Sequence, residues 1–164
     1  MGQHEVDTKF TDEQLQVFTA ALLNDVRALE YMLENDMFET DIQRVGAEQE
    51  LFLVDRNAQP APLAEEVLEL ATDERIVNEL TRFNLEINLD PLEFTGSCFS
   101  TMEADLNRLV ESVRDLCGKL DTEIVLAGIL PTIHAWDLRL DNMAPKPRYY
   151  SLNDTIMSLK GGLA

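Results

Sequence analysis

Residues 44–55 read Arg-Val-Gly-Ala-Glu-Gln-Glu-Leu-Phe-Leu-Val-Asp, and the character of the side chains alternates along this stretch. An alternation with a period of two is typical of a β-strand, in which successive side chains point to opposite faces of the sheet. We therefore predict a strand over residues 43–54. Glu48 and Glu50 share one face with the two apolar residues that follow at the same spacing, and their Cα atoms lie about 6.5–7 Å apart.

These two acidic residues are the first candidates for chemistry. Two carboxylates on an otherwise apolar face repel one another and lose hydration, an arrangement that persists where cations neutralise it. Oxygen ligands of this kind suit Mg²⁺ or Mn²⁺. The alternative is an acidic pair on the solvent side of an exposed strand, and the spacing of Glu48 and Glu50 alone fits both interpretations.

A second alternating stretch covers residues 83–95. Its apolar face consists of Phe83, Leu85, Ile87 and Leu89, and its polar face of Asn84, Glu86, Asn88 and Asp90. Pro91 cannot donate a ladder hydrogen bond and therefore marks an edge or a bulge. Strict alternation places Glu93 on the face opposite to Glu86, and a one-residue bulge at Asp90–Pro91 would return it to the same face.

The remaining pattern is mainly helical. Residues 12–34 carry apolar side chains at steps of three and four, which predicts an amphipathic helix with a capping box between Thr11 and Gln14 and an end at Asn35-Asp36. The other predicted elements are two short helical stretches within 63–81, a helix over 100–120, a short strand over 123–130 and a helix over 148–159 closed by Gly161-Gly162. Three strands are few for an α/β or α+β domain. With no internal repeat and no linker, we predict one domain that is the N-terminal part of a larger fold.

Composition excludes several classes of function. The 164 residues include 31 acidic and 13 basic side chains, a net charge of −18, which repels nucleic acid and anionic lipid. No apolar run approaches the roughly 20 residues of a membrane helix, and no signal-peptide pattern opens the chain. Cys98 and Cys117 form no C-x-x-C pair, so we expect reduced thiols, a cytoplasmic protein and no cysteine-based zinc site.

Arg148 stands out because basic residues are scarce. It follows Pro147 at a predicted helix start, where a guanidinium could meet a phosphate. The alternative is a surface arginine beside a Tyr149 that packs inside. His134 has no metal-binding partner at nearby positions, and we interpret it as a structural or surface residue.

Four segments, in this order, resemble motifs of the glutamate–cysteine ligase family, in its bacterial carboxylate–amine ligase branch. They are residues 44–55, residues 84–95 with their Leu-Glu-Phe-Thr ending, the Ala-Gly-Ile-Leu-Pro-Thr segment at 127–132, and Pro-Arg-Tyr-Tyr at 147–150 with the following helix and Gly-Gly. The resemblance covers about residues 43–162. It implies an ATP-dependent ligase that activates a γ-carboxylate as an acyl phosphate for attack by an amine. It also implies a fold similar to glutamine synthetase, with a curved, mainly antiparallel sheet and helices packed on one face.

The resemblance also implies roles for six residues. The implied ligands of Mg²⁺ or Mn²⁺ are Glu48, Glu50 and Glu93. Glu86 and Asn88 would line the pocket for a small amino-acid substrate. Arg148 would steady the transferring phosphoryl group of ATP or the acyl phosphate.

Two departures from the family pattern bear on activity. Many members carry a histidine just before the proline that follows the third strand, where this chain has Leu130. The later sheet strands of the family, which supply further ligands, are missing here. We therefore expect residues 1–40 to be a helical extension and residues 41–164 the N-terminal part of the ligase domain, inactive alone. A truncated sheet exposes an edge, so we also expect self-association into a homo-oligomer.

Two other classes of function stay open on the residues. One is a non-catalytic acidic domain that binds metal or a protein partner and lacks the reaction. The other is a hydrolase that uses Glu48 and Glu50 as an acid–base pair. Glycosidases need carboxylates that flank the scissile bond, whereas two residues of one strand lie on the same side of a substrate. The hydrolase therefore ranks last.

Overall fold

In the computed structural model, which describes residues 11–160, the alternating stretch around Glu48 forms strands as predicted. The helices are α1 (Asp12–Glu34), α2 (Ala64–Leu70), α3 (Cys98–Lys119) and α4 (Pro147–Leu159). The strands are β1 (Arg44–Val45), β2 (Glu48–Val54), β3 (Ile76–Asn78), β4 (Asn84–Asn88), β5 (Leu92–Glu93) and β6 (Glu123–Val125). A short 3₁₀ helix, Leu140–Asn142, precedes α4. The predicted α+β class is confirmed, with six strands within the described residues where three were predicted.

Two compact units divide the described chain. Residues 44–145 form one unit, which contains both sheets with α2 and α3. Residues 11–43 and 146–160 belong to the other, which contains α1 and α4. None of the helices within residues 11–160 combines the length and the apolar character that a membrane crossing requires.

The larger sheet is antiparallel throughout, and its spatial order is β3, β4, β2, β6. Its two central strands, β2 and β4, pair from Glu48 opposite Asn88 to Phe52 opposite Asn84. The smaller sheet pairs β1 with β5, also antiparallel. β4 is hydrogen-bonded to a strand on each side, and the first half of β2 is hydrogen-bonded to β4 alone. These backbone hydrogen bonds hold the acidic residues of the two strands in place.

One face of the larger sheet packs on α2 and α3. The side chains of Leu51, Leu53, Leu85 and Ile87 are fully buried there against an apolar stripe of α3. That stripe contributes the buried residues Leu109, Val113, Leu116 and Cys117, and Leu106 and Leu120 pack partly buried beside them. Burial of each large apolar side chain stabilises the unit by about 1.5–3 kcal/mol.

The opposite face carries a second, smaller core at one end. Phe52, Val54, Phe83 and Leu130 are buried together, and the rings of Phe52 and Phe83 stack with their centroids 6.5 Å apart. Phe52 and Val54 lie on the same face of β2 as Glu48 and Glu50, whose side chains are exposed. This face is therefore dry at one end and open to water at the other.

The prediction of a second helical stretch within residues 63–81 is wrong. Residues 76–78 form β3, in which Ile76 pairs with Ile87 and Val77 with Glu86. The apolar residues Ile76, Val77 and Leu80 have helical spacing, but the β-branched pair favours extended chain once a neighbouring strand is available. The first predicted stretch is correct and forms α2.

Two predicted strands are shorter or less continuous than expected. The strand predicted over 123–130 ends at Val125, and the chain then leaves the sheet so that Leu130 packs on the smaller core. The strand predicted over 43–54 is interrupted at Gly46-Ala47, and the strand predicted over 83–95 is interrupted at residues 89–91. The predicted faces are wrong at both ends of this second stretch. Phe83 packs with Phe52 on the face opposite to Leu85, and Asp90 contacts Arg75 on the helix side of the sheet, because both residues lie outside the regular pairing of β4.

Helix α1 has the predicted bounds and the predicted capping box. The backbone N–H of Gln14 donates to Thr11 Oγ1 at 3.2 Å, and the N–H of Thr11 donates to Gln14 Oε1 at 2.8 Å. The helix ends at Asn35 as predicted, whereas Gly161-Gly162, predicted to close α4, lies outside the described residues. None of the residues of α1 is buried, and the apolar stripe is between 46% and 63% exposed.

Candidate functional site

The two central strands bring four polar residues together on the open end of the sheet. In the antiparallel register, Glu48 lies opposite Asn88 and Glu50 lies opposite Glu86. Directly opposed residues share a face and have Cβ atoms about 4.5–5.5 Å apart. We call these four residues, Glu48, Glu50, Glu86 and Asn88, the acidic block.

Within the acidic block the two strands differ in exposure. Glu48 and Glu50 on β2 are exposed, whereas Glu86 and Asn88 on β4 are half-buried. The side-chain amide of Asn88 donates to Glu86 Oε1 at 2.7 Å. This hydrogen bond fixes one oxygen of Glu86 and leaves the other available to a ligand.

The charges of the acidic block are alike. Glu50 and Glu86 occupy directly opposed positions, where two negative side chains destabilise a sheet. A cation or the ammonium group of a ligand placed between them would remove this repulsion. The block is therefore chemically suited to a positively charged ligand.

Glu93 reaches the neighbourhood of the block through a change of register. Glu93 pairs with Arg44 in the smaller sheet, so that the three residues 89–91 lie opposite only two, Gly46 and Ala47. The N–H of Leu89 still donates to the carbonyl of Ala47 at 2.9 Å, so the extra residue lies in Asp90–Pro91, opposite Gly46. This is a one-residue bulge, one of the two interpretations of Pro91 that the sequence left open.

The bulge determines the face on which Glu93 lies. Side chains alternate between the faces of the sheet, so Arg44, four residues before Glu48, lies on the same face as Glu48. Glu93 pairs with Arg44. Both residues are exposed. By this alternation Glu93 lies on the face of the acidic block, two paired positions beyond Glu48.

A network of ion pairs lies beside the bulge on the helix side of the sheet, and the sequence analysis did not predict it. The guanidinium of Arg75 contacts three carboxylates, those of Asp73, Asp90 and Asp105. The hydrogen bonds from Arg75 lower the pKa of Asp73 from its ordinary value of 3.8 to about 2. Arg108 and then Arg75 lower the pKa of Asp105. We call these four residues, Arg75, Asp73, Asp90 and Asp105, the Arg75 cluster.

A cavity of about 430 Å³ lies between the bulge and the first half of α3. Its lining is mainly apolar, with Leu89 and Leu92 on one side and Met102 and Ala104 on the other. Asp90, Asp105 and Arg108 also line it. The Arg75 cluster therefore borders this cavity on the side of the sheet opposite to the acidic block.

Arg148 lies in the other compact unit, as the second residue of α4. Its guanidinium stands over the ring of Tyr149, 5.4 Å from the centroid, and Tyr149 is buried as one of the two interpretations predicted. A contact of Arg148 with a phosphate stays a prediction.

The other singled-out residues behave as predicted. His134 stacks on Trp136, with the ring centroids 4.2 Å apart, and its side chain is partly exposed. Cys98 and Cys117 are buried free thiols. Burial raises the pKa of Cys117 to about 11, so this thiol is protonated and unreactive at neutral pH.

The donor chemistry of the acidic block and Glu93 fits a hard divalent cation. All of these side chains offer oxygen donors, and such ions take carboxylate and carbonyl oxygens together with water or phosphate. Within residues 11–160, no group of three or more His, Cys, Asp or Glu side chains is arranged to hold a metal ion. The convergence of Glu48, Glu50 and Glu93 on one ion stays a prediction, and further oxygens would come from water or a nucleotide.

A family model, described as Glutamate-cysteine ligase family 2 (GCS2), matches residues 44–162. The match begins at the first residue of β1 and includes the acidic block, the bulge and Arg148. Comparisons with curated proteins and with solved structures gave no match.

Proposed function

The chain belongs to glutamate–cysteine ligase family 2, and on that premise we propose that it is an ATP- and Mg²⁺-dependent carboxylate–amine ligase. The reaction joins a γ-carboxylate to an amine in a C–N bond, with an acyl phosphate as the activated form of the carboxylate. The substrates are ATP and small amino-acid molecules, and nucleic acid and membranes are not partners. We place the reaction in the cytoplasm, where ATP is abundant.

One observation carries the proposal. The acidic block sets like charges opposite each other on two central strands, at the exposed end of a face that is otherwise apolar. The family's chemistry needs cations that neutralise phosphate oxygens, and carboxylates on fixed strands are suited to hold them. A protein with a net charge of −18 also needs such cations to bind an anionic nucleotide.

Each residue of the site has a distinct proposed role. Glu48, Glu50 and Glu93 would hold Mg²⁺ or Mn²⁺, which when bound neutralises the charge of the ATP phosphates. Glu86 would accept a hydrogen bond from the amino-acid substrate, and Asn88 orients Glu86 for it by donating to Oε1. Arg148 would contact the transferring phosphoryl group or the acyl phosphate, because a guanidinium can donate two parallel hydrogen bonds to it.

The metal-binding part is tested by thermal unfolding with Mn²⁺ or Mg²⁺ and ADP. We expect the midpoint to rise with the ligands in the wild-type chain and not in Glu48→Gln/Glu50→Gln, because a ligand stabilises the state that binds it. The matched control is Glu103→Gln/Asp115→Asn, which removes the same two charges from exposed positions of α3. An equal rise in all three proteins would refute the role of the acidic pair.

Because we expect residues 41–164 to be inactive alone, the chemical step is tested in a longer protein that joins them to the later strands of the family, with a substrate whose γ-carboxylate is labelled with ¹⁸O. An acyl phosphate transfers one carboxylate oxygen to the phosphate that is released when the amine attacks. We therefore expect one ¹⁸O atom per inorganic phosphate, measured by mass spectrometry. Phosphate without label would show that water, and not the carboxylate, attacks ATP.

A further inference from the structure

The Asp90–Pro91 bulge determines where Glu93 lies, and it needs support. A bulge leaves one residue without a ladder partner and locally disrupts the pairing. Pro91 has no N–H, so it donates no backbone hydrogen bond that would fix the bulge. Without the extra residue, Glu93 would lie on the helix side of the sheet, away from Glu48.

Arg75 makes contact with the bulge from the helix side of the sheet. Its Nη1 lies 3.2 Å from Asp90 Oδ2 and 2.7 Å from Asp105 Oδ2, so one nitrogen joins the bulge to α3. Its Nε and Nη2 donate to the two oxygens of Asp73, at 2.9 and 2.8 Å. The side chain of Arg75 is 22% exposed and its partners Asp73 and Asp105 are 27% and 30% exposed, so water screens these two contacts less than those of an ordinary surface pair. Asp90 is 77% exposed, and its contact with Arg75 is screened more.

The backbone of Arg75 contacts the same region. Its carbonyl accepts a hydrogen bond from the N–H of Asn88 at 2.8 Å, at the last residue of β4. Arg75 therefore binds the chain on both sides of Leu89, through its carbonyl to Asn88 and through its guanidinium to Asp90.

An arginine is needed for this geometry. The planar guanidinium reaches two oxygens of Asp73 and two further carboxylates at the same time, which the single ammonium of a lysine cannot do. Arg108 contacts Asp105 at 2.6 Å and approaches Asp73 at 3.9 Å, so it shares two of the three carboxylates. Asp90 is the member of the Arg75 cluster that belongs to the bulge.

We propose that Arg75 is a positioning residue that holds the Asp90–Pro91 bulge, and through the bulge keeps Glu93 on the face of the acidic block. The inference rests on the proposed function, because Glu93 is one of the proposed metal ligands. Arg75 itself lies on the helix side of the sheet, opposite to the acidic block, and in this proposal it contacts neither metal nor substrate.

The bulge is tested first without any metal, by hydrogen–deuterium exchange of the full chain. In Arg75→Lys we expect the amide of Leu89, which donates to Ala47, to exchange about tenfold faster, because local opening of the bulge becomes easier. The matched control is Arg56→Lys, which alters another arginine–aspartate pair, that of Arg56 with Asp121, at 2.6 Å. Equal exchange in Arg75→Lys and wild type would overturn the inference.

The link to Glu93 is tested by a double-mutant cycle on Mn²⁺ affinity, measured by calorimetry. We expect Arg75→Lys and Glu93→Gln each to weaken binding by about tenfold, and the double variant to bind no more weakly than Glu93→Gln. Additive losses, or full affinity in Arg75→Lys, would show that Arg75 does not act through Glu93. If Glu48→Gln/Glu50→Gln keeps wild-type affinity, the proposed metal site itself fails, and the exchange experiment still decides whether Arg75 holds the bulge.

Discussion

Glu50 and Glu86 stand directly opposite each other on the two central strands of the sheet, with no basic residue paired between them in the register. Most sheets avoid two like charges at such positions, because the pair destabilises the folded state. Here the destabilising pair lies at the exposed end of one sheet face, and the other end of that face packs into an apolar core. A positively charged ligand bound at this site would offset the repulsion between Glu50 and Glu86.

The opposition of Glu50 and Glu86 predicts opposite effects on stability and on binding. In Glu50→Gln we expect the free energy of unfolding to rise by about 0.2–1 kcal/mol without divalent cations, because the repulsion is removed. We expect Mn²⁺ affinity to fall in the same variant. Urea unfolding in the presence of a chelator measures the first effect, and calorimetry measures the second. Glu103→Gln on α3 serves as the control, and a Glu50→Gln protein less stable than wild type would contradict the prediction.

The hydrogen bond between Asn88 and Glu86 predicts a separation of substrate binding from metal binding. In Asn88→Ala, Glu86 loses the donor that orients it, and we expect amino-acid affinity to fall roughly tenfold, the effect of one hydrogen bond to a charged group. Mn²⁺ affinity should change little, since Glu48 and Glu50 are untouched. Asn107→Ala, at an exposed position of α3, controls for the loss of an amide. Equal losses of both affinities would argue that Asn88 maintains the sheet and not the pocket.

The Arg75 cluster predicts the acid sensitivity of the fold. The pKa of Asp73 is lowered from 3.8 to about 2 in the folded chain, so its ion pair stabilises the protein above about pH 4. That contribution is lost as the pH falls from about 4 towards 2, where Asp73 takes up a proton. We expect Asp73→Asn to be less stable at neutral pH and to lose less stability over this interval. Urea midpoints at several pH values measure it, with Asp115→Asn as the control that should retain the wild-type slope.

The burial of the α3 stripe predicts a strong contrast between two leucines on helices. Leu109 is fully buried against the sheet, and Leu109→Ala should lower the free energy of unfolding by about 2–5 kcal/mol. Leu22 on α1 is half exposed, and Leu22→Ala should change it by less than about 1 kcal/mol. Similar losses in the two variants would mean that the stripe of α1 is buried in solution.

The sequence was sufficient for the features that depend on local pattern. The faces of β2 and of residues 84–88 follow from alternation, which fails for Phe83 and Asp90 beyond the paired residues. Pro91 indicated an edge or a bulge at the place where the bulge is found. The capping box of α1 follows from two residues three positions apart. In each case the physical signal lies within a few neighbouring residues.

The features that the sequence did not reveal depend on distant partners. β3 has three residues, too few to show a period, and it becomes a strand because β4 lies beside it. Arg75 meets Asp90 and Asp105, which lie 15 and 30 residues further along the chain. No local pattern indicates these contacts, whereas the structure shows the half-buried Arg75 side chain in contact with three carboxylates.

The bulge also constrains the length of the chain in evolution. Three residues separate Asn88 from Leu92, opposite two residues between Val45 and Glu48. A relative that inserts or deletes one residue here would reverse the faces of the residues equivalent to Leu92 and Glu93. A change of two residues would restore them. The number of residues in this segment should therefore vary among relatives in steps of two. We expect it to stay odd even where the side chains of the segment differ.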